Sequence, residues 1–129
     1  MNKQQLVTRR QAIKLKQLGF HDKTCACLIM AKDYEWIVFG NPLDSNRIKR
    51  KQMDGKVEHP FVSVPTVYEA FDWLIAKLNW KTAFIRYERC VHQYSLWCYD
   101  AKYHADLCSD KYASYRKAIN ILIKEYEKR

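Results

Sequence analysis

The chain has few of the residues that most often build loops. Only three glycines and three prolines occur among its 129 residues, and the glycines stand far apart at positions 19, 40 and 55. A loop that cradles a phosphate needs several glycines within a few residues, so a nucleotide-binding loop of that kind is excluded. No linker rich in proline, glycine or serine divides the chain. We therefore expect a single domain, residues 1–129, of ordinary size.

Long apolar runs and closely paired cysteines are also missing. The longest apolar run, Cys25–Ala31, is far shorter than the roughly 20 residues that cross a bilayer. The charged start of the chain has no apolar core of a secretory signal, so none is predicted. The five cysteines are an odd number, and no two of them are separated by two residues. These absences predict a protein of the reducing cytoplasm, where cysteine is a small buried hydrophobe.

What the chain has in abundance is apolar surface and positive charge. Hydrophobic residues make up 48% and aromatic residues 14%, which is enough for a packed core and excludes a disordered chain. The net charge is +9, and most of the excess lies in the first half. A basic surface attracts nucleic acid or another anionic partner. A solvated surface without a ligand has the same composition, so both alternatives stay open.

Two helices have sequence signals at both ends. For the first, Leu6–Phe20, Thr8 and Gln11 predict a capping box and Gly19 predicts the end. The second lies in the stretch Val64–Trp80, in which Thr66 and Glu69 predict another capping box. Its apolar residues recur at helical spacing, and Asn79 is a candidate last residue. This helix is the clearest element in the sequence.

Alternating apolar residues predict two hairpins. The first joins a strand at 24–31 to one at 34–39, which Gly40-Asn41-Pro42 is expected to stop. The second joins strands at 81–90 and 94–100. Residues 101–112 are compatible with a short strand or a loop, and Ser114 is the predicted cap of a third helix.

These elements predict an α+β fold of the order helix–hairpin–helix–hairpin–helix (αββαββα), with antiparallel sheets packed against helices. The domain would consist of two similar helix–hairpin halves, at about 6–42 and 65–100, and a C-terminal helix. Residues 43–60 are predicted to be a flexible basic loop.

Two motifs carry a resemblance to a known group. They are Pro65-Thr66-x-Tyr68-Glu69-Ala70-x-x-Trp73-Leu74 and Leu6-Val7-Thr8-x-x-Gln11-Ala12-x-x-Leu15-x-x-Leu18-Gly19-Phe20. Through them the chain resembles small uncharacterised proteins encoded in prophages and other mobile elements of gut bacteria. The resemblance covers the first two helices and, weakly, the second hairpin and the Ser114 helix, where Arg116-Lys117 replace an acidic residue frequent in the group. The resemblance implies a cytoplasmic α+β protein, and it implies no activity because the group has none assigned. The matching residues are caps and core positions, which indicate a fold and not a function.

A basic cluster and an aromatic cluster are the candidate binding surfaces. The cations that would contact phosphates of a nucleic acid lie in the run RIKRK and in the first helix: Arg47, Lys49, Arg50, Lys51, Arg9 and Arg10. The aromatic residues of the second hairpin exceed what one buried face needs, and they are candidates for protein binding or self-association: Tyr87, Tyr94, Trp97 and Tyr99. The same rings would also serve as a stacking platform for single-stranded nucleic acid, and a third alternative covers both sheet faces with helices.

No pattern of catalytic or metal-binding residues emerges. Cys25-x-Cys27 and Cys90-x-His92 match no closed zinc-ligand spacing, and no third group orients a Cys–His pair. We therefore predict no catalytic residue, no metal and no cofactor. The function expected is that of a non-enzymatic cytoplasmic accessory protein that binds another protein or a second copy of itself. Nucleic-acid binding is the alternative, and an enzyme of unidentified class is the third.

Overall fold

The computed structural model describes residues 2–30, 35–43, 46, 49–51 and 58–129. The chain divides into two compact units, Leu6–Thr66 and Met1–Gln5 together with Val67–Arg129. The predicted halves at about 6–42 and 65–100 do not coincide with these units, because each unit includes strands beyond its hairpin.

Among its described residues, the unit Leu6–Thr66 contains one helix and four strands. They are α1 Arg9–Gln17, β1 Thr24–Met30, β2 Glu35–Leu43, β3 Lys49–Lys51 and β4 Glu58–Val64. The strands form one antiparallel sheet in the order β2-β1-β4-β3, and α1 packs against β4.

The ends of α1 confirm the sequence signals. The Thr8 hydroxyl accepts a hydrogen bond from the Gln11 backbone N–H at 3.1 Å, and the Gln11 side chain accepts one from the Thr8 N–H at 3.0 Å. Gly19 has a φ of +98°, and the Phe20 N–H donates to the Leu15 carbonyl at 2.9 Å. This left-handed cap turns Phe20 back into the core, where its side chain is fully buried.

The β1 strand shows which sheet face is the core. Thr24, Ala26 and Leu28 are buried, whereas Cys25 and Cys27 are half-buried. Because side chains alternate along a strand, the first set lies on the core face of the sheet and the second on the outer face.

Buried Asn46 ties this unit together. Its side-chain N–H donates to the Phe20 carbonyl at 2.6 Å, and its Oδ1 accepts from the Ser63 N–H at 2.8 Å. The Asn46 N–H in turn donates to the Ser63 hydroxyl at 3.1 Å. One side chain therefore satisfies backbone groups on two separate segments.

Two predictions for this unit differ from the structure. Gly40-Asn41-Pro42 does not stop the second strand, since β2 continues to Leu43. Here β2 is an edge strand with a register shift between Thr24 and Ala26, and proline is tolerated at edges and bulges because it lacks an N–H for the ladder. Part of the predicted basic loop at 43–60 is also strand, namely β3 and the first residues of β4.

The other unit has two helices and three strands. They are α2 Val67–Leu78, β5 Ala83–Glu88, β6 Gln93–Cys98, β7 Tyr103–Asp106 and α3 Lys111–Glu127, with a short 3-10 helix at Lys3–Gln5. The sheet order is β5-β6-β7, all antiparallel. Helix α2 packs against α3, and α3 packs against β6.

The helical stripe predicted for α2 is its buried face. Val67, Ala70, Phe71, Leu74 and Leu78 are all at most 5% exposed. Tyr115 of α3 closes this interface with its ring edge-on to Phe71 at 5.6 Å between centroids. Asn79 has a φ of 59°, as expected for a residue that ends a helix.

The predicted cap of α3 was wrong. The helix begins four residues earlier, and the Asp110 carboxylate accepts a hydrogen bond from the Ala113 N–H at 2.8 Å. Ser114 is a buried first-turn residue whose hydroxyl donates to the Cys108 carbonyl at 2.9 Å. The Ser114 side chain therefore anchors the segment that precedes α3 and does not cap the helix.

The α+β class is confirmed, and the element order is longer than predicted. The observed order is α-ββββ-α-βββ-α. Of the region 101–112, residues 103–106 form β7. In the part of the chain that the structure describes, no helix is both long enough and apolar enough to cross a membrane.

Candidate binding face

The strand register of β5, β6 and β7 aligns three rings in a row. Phe84 pairs with Trp97, and Trp97 pairs with His104. Directly paired residues share a sheet face, so these rings cross all three strands on one side. Leu96 and Cys98 lie on the opposite, buried side of β6, which packs against α3. The row therefore belongs to the outer face of the sheet.

A fourth ring extends the row. Tyr99 lies just after β6, with its ring centroid 5.6 Å from that of Phe84, and it is 64% exposed. At the other end of the row, the Trp97 and His104 rings lie 4.1 Å apart with 37° between their planes. We call Phe84, Trp97, Tyr99 and His104 the aromatic face.

Ser95 fixes the orientation of the central ring. Its hydroxyl accepts a hydrogen bond from the Trp97 indole N–H at 2.8 Å, and Ser95 is 3% exposed. Since the indole N–H already has a partner, the ring can present an apolar surface without leaving a donor unpaired. A ring held in one orientation also loses less entropy when a ligand covers it.

The charged groups on the strands that bear the aromatic face are one arginine and two carboxylates, Arg86, Glu88 and Asp106. Arg86 Nε lies 2.9 Å from Glu88 Oε1, and His104 Nε2 lies 3.5 Å from Asp106 Oδ1. These are exposed pairs, so they contribute little to stability. Their effect on binding is larger, because one arginine beside two carboxylates gives this face no positive excess to attract a phosphate backbone.

The register divides the predicted aromatic set between two faces. Trp97 and Tyr99 belong to the aromatic face. Tyr87 and Tyr94 pair with each other across β5 and β6 on the side that bears Leu96. Their rings are 4.8 Å apart, and the Tyr87 hydroxyl lies 3.2 Å from His92 Nδ1. The four residues are therefore not one surface.

The sequence prediction did not include His104 in the set. It was missed because residues 101–112 did not distinguish a strand from a loop, and only the β6–β7 register brings His104 beside Trp97. The alternation in Tyr103–Asp106 is the signal that would have suggested it.

The predicted basic residues lie in the unit Leu6–Thr66. Arg9 and Arg10 are exposed in the first turn of α1. Lys49, Arg50 and Lys51 form β3, an edge strand of the sheet. Arg47 lies outside the described residues.

The acidic and thiol groups around Cys98 form a structural network. Asp100 Oδ1 accepts hydrogen bonds from the Cys98 thiol and the Thr82 hydroxyl, both at 2.7 Å. These bonds lower the pKa of Asp100 to about 2, whereas burial and then the hydrogen bond to Asp100 raise the pKa of Cys98. A raised pKa keeps this thiol protonated, which is the opposite of what a nucleophile needs.

All five cysteines are free thiols. Within the described residues, no group of three or more His, Cys, Asp or Glu side chains is arranged to hold a metal ion.

Neither a protein-family model, a curated protein nor a solved structure matches this chain. The face is therefore interpreted from its own geometry.

Proposed function

We propose that this is a non-enzymatic accessory protein whose aromatic face binds another protein. The observation that carries the proposal is the row of rings at Phe84, Trp97 and His104, with the orientation of Trp97 fixed by Ser95. Tryptophan and tyrosine dominate the binding energy of protein interfaces, where they bury large areas with few rotatable bonds.

Charge favours a protein over a nucleic acid at this face. Stacking of bases on rings usually comes with a groove of cations that follows the phosphates. Here Arg86 is paired with Glu88, and Asp106 adds a further negative charge. A protein partner does not require a positive excess, since paired charges of this kind suit the polar rim of an interface.

The proposal includes a setting for the protein. The five free thiols support a reducing cytoplasm. The resemblance of the first two helices to proteins of prophages and other mobile elements supports an origin in such an element.

Affinity capture with paired variants tests this function. Trp97→Ala removes the central ring of the aromatic face, and Tyr87→Ala removes a ring of the opposite side that is itself 43% exposed. We expect a protein from a lysate of the source cells to be retained by the wild-type chain and by Tyr87→Ala. Retention by Trp97→Ala should fall at least about tenfold, the loss typical of a hot-spot residue. Equal retention by all three chains would remove the proposal, provided that circular dichroism shows each to be folded.

Nucleic-acid binding is a second candidate, at a different place. It is favoured by the position of Lys49, Arg50 and Lys51 on an edge strand of a unit that also exposes Arg9 and Arg10. Fluorescence anisotropy with labelled single-stranded DNA and RNA tests it. Binding through these cations should weaken steeply as salt increases and should disappear on charge reversal at 49–51. Flat titrations at low salt would eliminate this candidate.

A further inference from the structure

A small cleft of about 60 Å³ lies beside the aromatic face. The residues that line it include Trp97 and His104 of that face, together with Glu88, Ser95 and Asp106. Its volume is far below the roughly 300–1,000 Å³ of small-molecule sites. It is about twice the roughly 30 Å³ that one water molecule occupies in the liquid. The cleft therefore suits the end of a single side chain supplied by a partner.

The charged groups that line this cleft are carboxylates. The Asp106 side chain is 69% exposed and lies 3.5 Å from His104 Nε2. The Glu88 carboxylate is paired with Arg86, and among the described residues no lysine or arginine lines the cleft. With histidine counted as neutral, the strands that bear the cleft have one positive and two negative charges. The local excess is therefore negative, opposite in sign to the +9 of the whole chain, and favours a cationic group.

Ser95 provides a buried polar group in the same cleft. It is 3% exposed, and its Oγ accepts the Trp97 indole N–H at 2.8 Å. Within the described part of the chain, its side chain makes no other hydrogen bond. A hydroxyl oxygen has two lone pairs, so one of them stays available to a donor from outside. A buried hydroxyl with unused capacity points to a polar group of a ligand.

We propose that the cleft receives the guanidinium group of an arginine side chain of the partner protein, stacked on Trp97 and donating hydrogen bonds to Asp106 and Ser95. The inference rests on the proposed function, because it names the side chain that the bound protein inserts. Ser95 and Asp106 are directly paired on β6 and β7, which places their Cβ atoms about 4.5–5.5 Å apart. One guanidinium group can therefore reach both.

The arrangement favours arginine over lysine. A guanidinium group is planar, stacks on aromatic rings and carries five N–H donors in a fixed plane, so it can bond to a carboxylate and a hydroxyl at the same time. An ammonium group is a compact point charge that holds its water more strongly. Arginine is also enriched in protein interfaces, whereas lysine is depleted there.

Three small probes test the proposal by NMR with the full isotope-labelled chain. They are the Nα-acetyl methylamides of arginine, of citrulline, which has a similar shape without the charge, and of lysine. The arginine compound should cause saturable shifts of the Trp97 indole N–H signal, which Trp97→Phe identifies, and of the Asp106 amide. We expect it to bind at least about fivefold more tightly than the citrulline compound, because that compound lacks both the cation–π contact and the ion pair. The lysine compound should bind more weakly than the arginine compound.

Two variants connect the binding to this cleft. Asp106→Asn keeps the size of the side chain, removes its charge and should weaken binding of the arginine compound at least about threefold. Asp72→Asn removes an exposed carboxylate of α2 that does not line the cleft, and this matched control should bind as the wild type does. The comparison of arginine with citrulline uses the wild-type chain, so its result does not depend on the folding of a variant.

The proposal is overturned if the arginine and citrulline compounds shift these signals equally, if the lysine compound binds more tightly, or if Asp106→Asn binds as the wild type does. Its failure can be told apart from that of the proposed function. If Trp97→Ala loses the captured protein but the arginine compound does not bind, protein binding stands and the arginine assignment is wrong. If Trp97→Ala retains the captured protein fully, the proposed function is removed, and the arginine assignment with it.

Discussion

The two sheets differ in the side chains on their outer faces and in the charge on their edge strands. In the unit that contains Val67–Arg129, the outer face carries rings, and charged residues lie on both edge strands. In the unit Leu6–Thr66, the outer face of β1 carries Cys25 and Cys27, and the β2 edge has no charge from residue 36 onward. The first arrangement offers a surface with protected edges, whereas the second offers an open edge beside a cavity. The comparison shows that the two sheets differ chiefly in where charge is placed: one has charged residues on both edge strands, and the other has an edge strand without charge from residue 36 to 43.

The largest effect on stability is expected in β6, where a substitution on the buried side is compared with one on the aromatic face. Leu96 is fully buried on the side of β6 that packs against α3, and its neighbour Trp97 belongs to the aromatic face. Leu96→Ala should lower the free energy of unfolding by about 2–5 kcal/mol, because it leaves a cavity in the core. Trp97→Ala should cost about 1–2 kcal/mol, since its ring pair contributes roughly 0.5–1.5 kcal/mol and the ring is only half-buried. Urea unfolding followed by circular dichroism measures both. Equal losses of unfolding free energy would mean that both faces of β6 belong to the hydrophobic core.

In the unit Leu6–Thr66, Asn46 is a buried polar side chain that connects two segments of the chain. Asn46→Ala leaves the buried Phe20 carbonyl and Ser63 N–H without the partners that the side chain supplies. The expected cost is about 2–3 kcal/mol in urea unfolding, the penalty for unsatisfied buried groups. Ser63→Ala removes only the acceptor of the Asn46 N–H and should cost about 1 kcal/mol. If Asn46→Ala costs no more than Ser63→Ala, the side chain does not join the two segments.

The cap of α1 should have a smaller effect. Thr8→Ala removes the hydroxyl that accepts the Gln11 N–H, and a loss of about 1 kcal/mol is expected from thermal or urea unfolding. Thr8→Ser keeps the hydroxyl and should be close to the wild type. A loss of equal size in both variants would assign the effect to the missing methyl groups instead of the cap.

The smallest effect concerns the stability, at acid pH, of the unit that contains Val67–Arg129. Hydrogen bonds from Cys98 and Thr82 lower the pKa of Asp100 from its ordinary 3.8 to about 2. Because the folded protein binds this proton less readily than the unfolded chain, the stabilisation is present above about pH 4 and is lost as the pH falls toward 2. Urea midpoints measured across this window should fall less steeply for Asp100→Asn than for the wild type. Parallel curves would show that Asp100 contributes nothing to the pH dependence.

The sequence predicted the elements with local signals and missed those that depend on pairing. The first helix was recognisable because Thr8, Gln11 and Gly19 act within a few residues of one another. β3 and β4 were not recognised and β7 was left open as a strand or a loop, since their pairing with other strands has no local signature. The cap of the third helix was misplaced because serine at 114 has the residue type of a cap, whereas its hydroxyl bonds to Cys108.

The candidate site shows the same limit. Trp97 and Tyr99 were predicted from composition, but the separation of Tyr87 and Tyr94 from them depends on the register between β5 and β6. The inclusion of His104 depends on the register of a strand whose existence the sequence left open. Period-two patterns assign residues to a face only after the strand and its partners are known.

Photo-crosslinking at matched positions tests most directly whether the aromatic face is the binding surface. Tyr99 and Tyr87 are exposed tyrosines of the same unit, 64% and 43% exposed, but only Tyr99 lies on the aromatic face. A photoreactive benzoylphenylalanine is introduced at each position in turn, and the chain is irradiated in the source-cell lysate. We predict a discrete covalent adduct with another protein from position 99 and none from position 87. Adducts of equal yield from both positions, or none from position 99, would contradict the assignment of binding to this face.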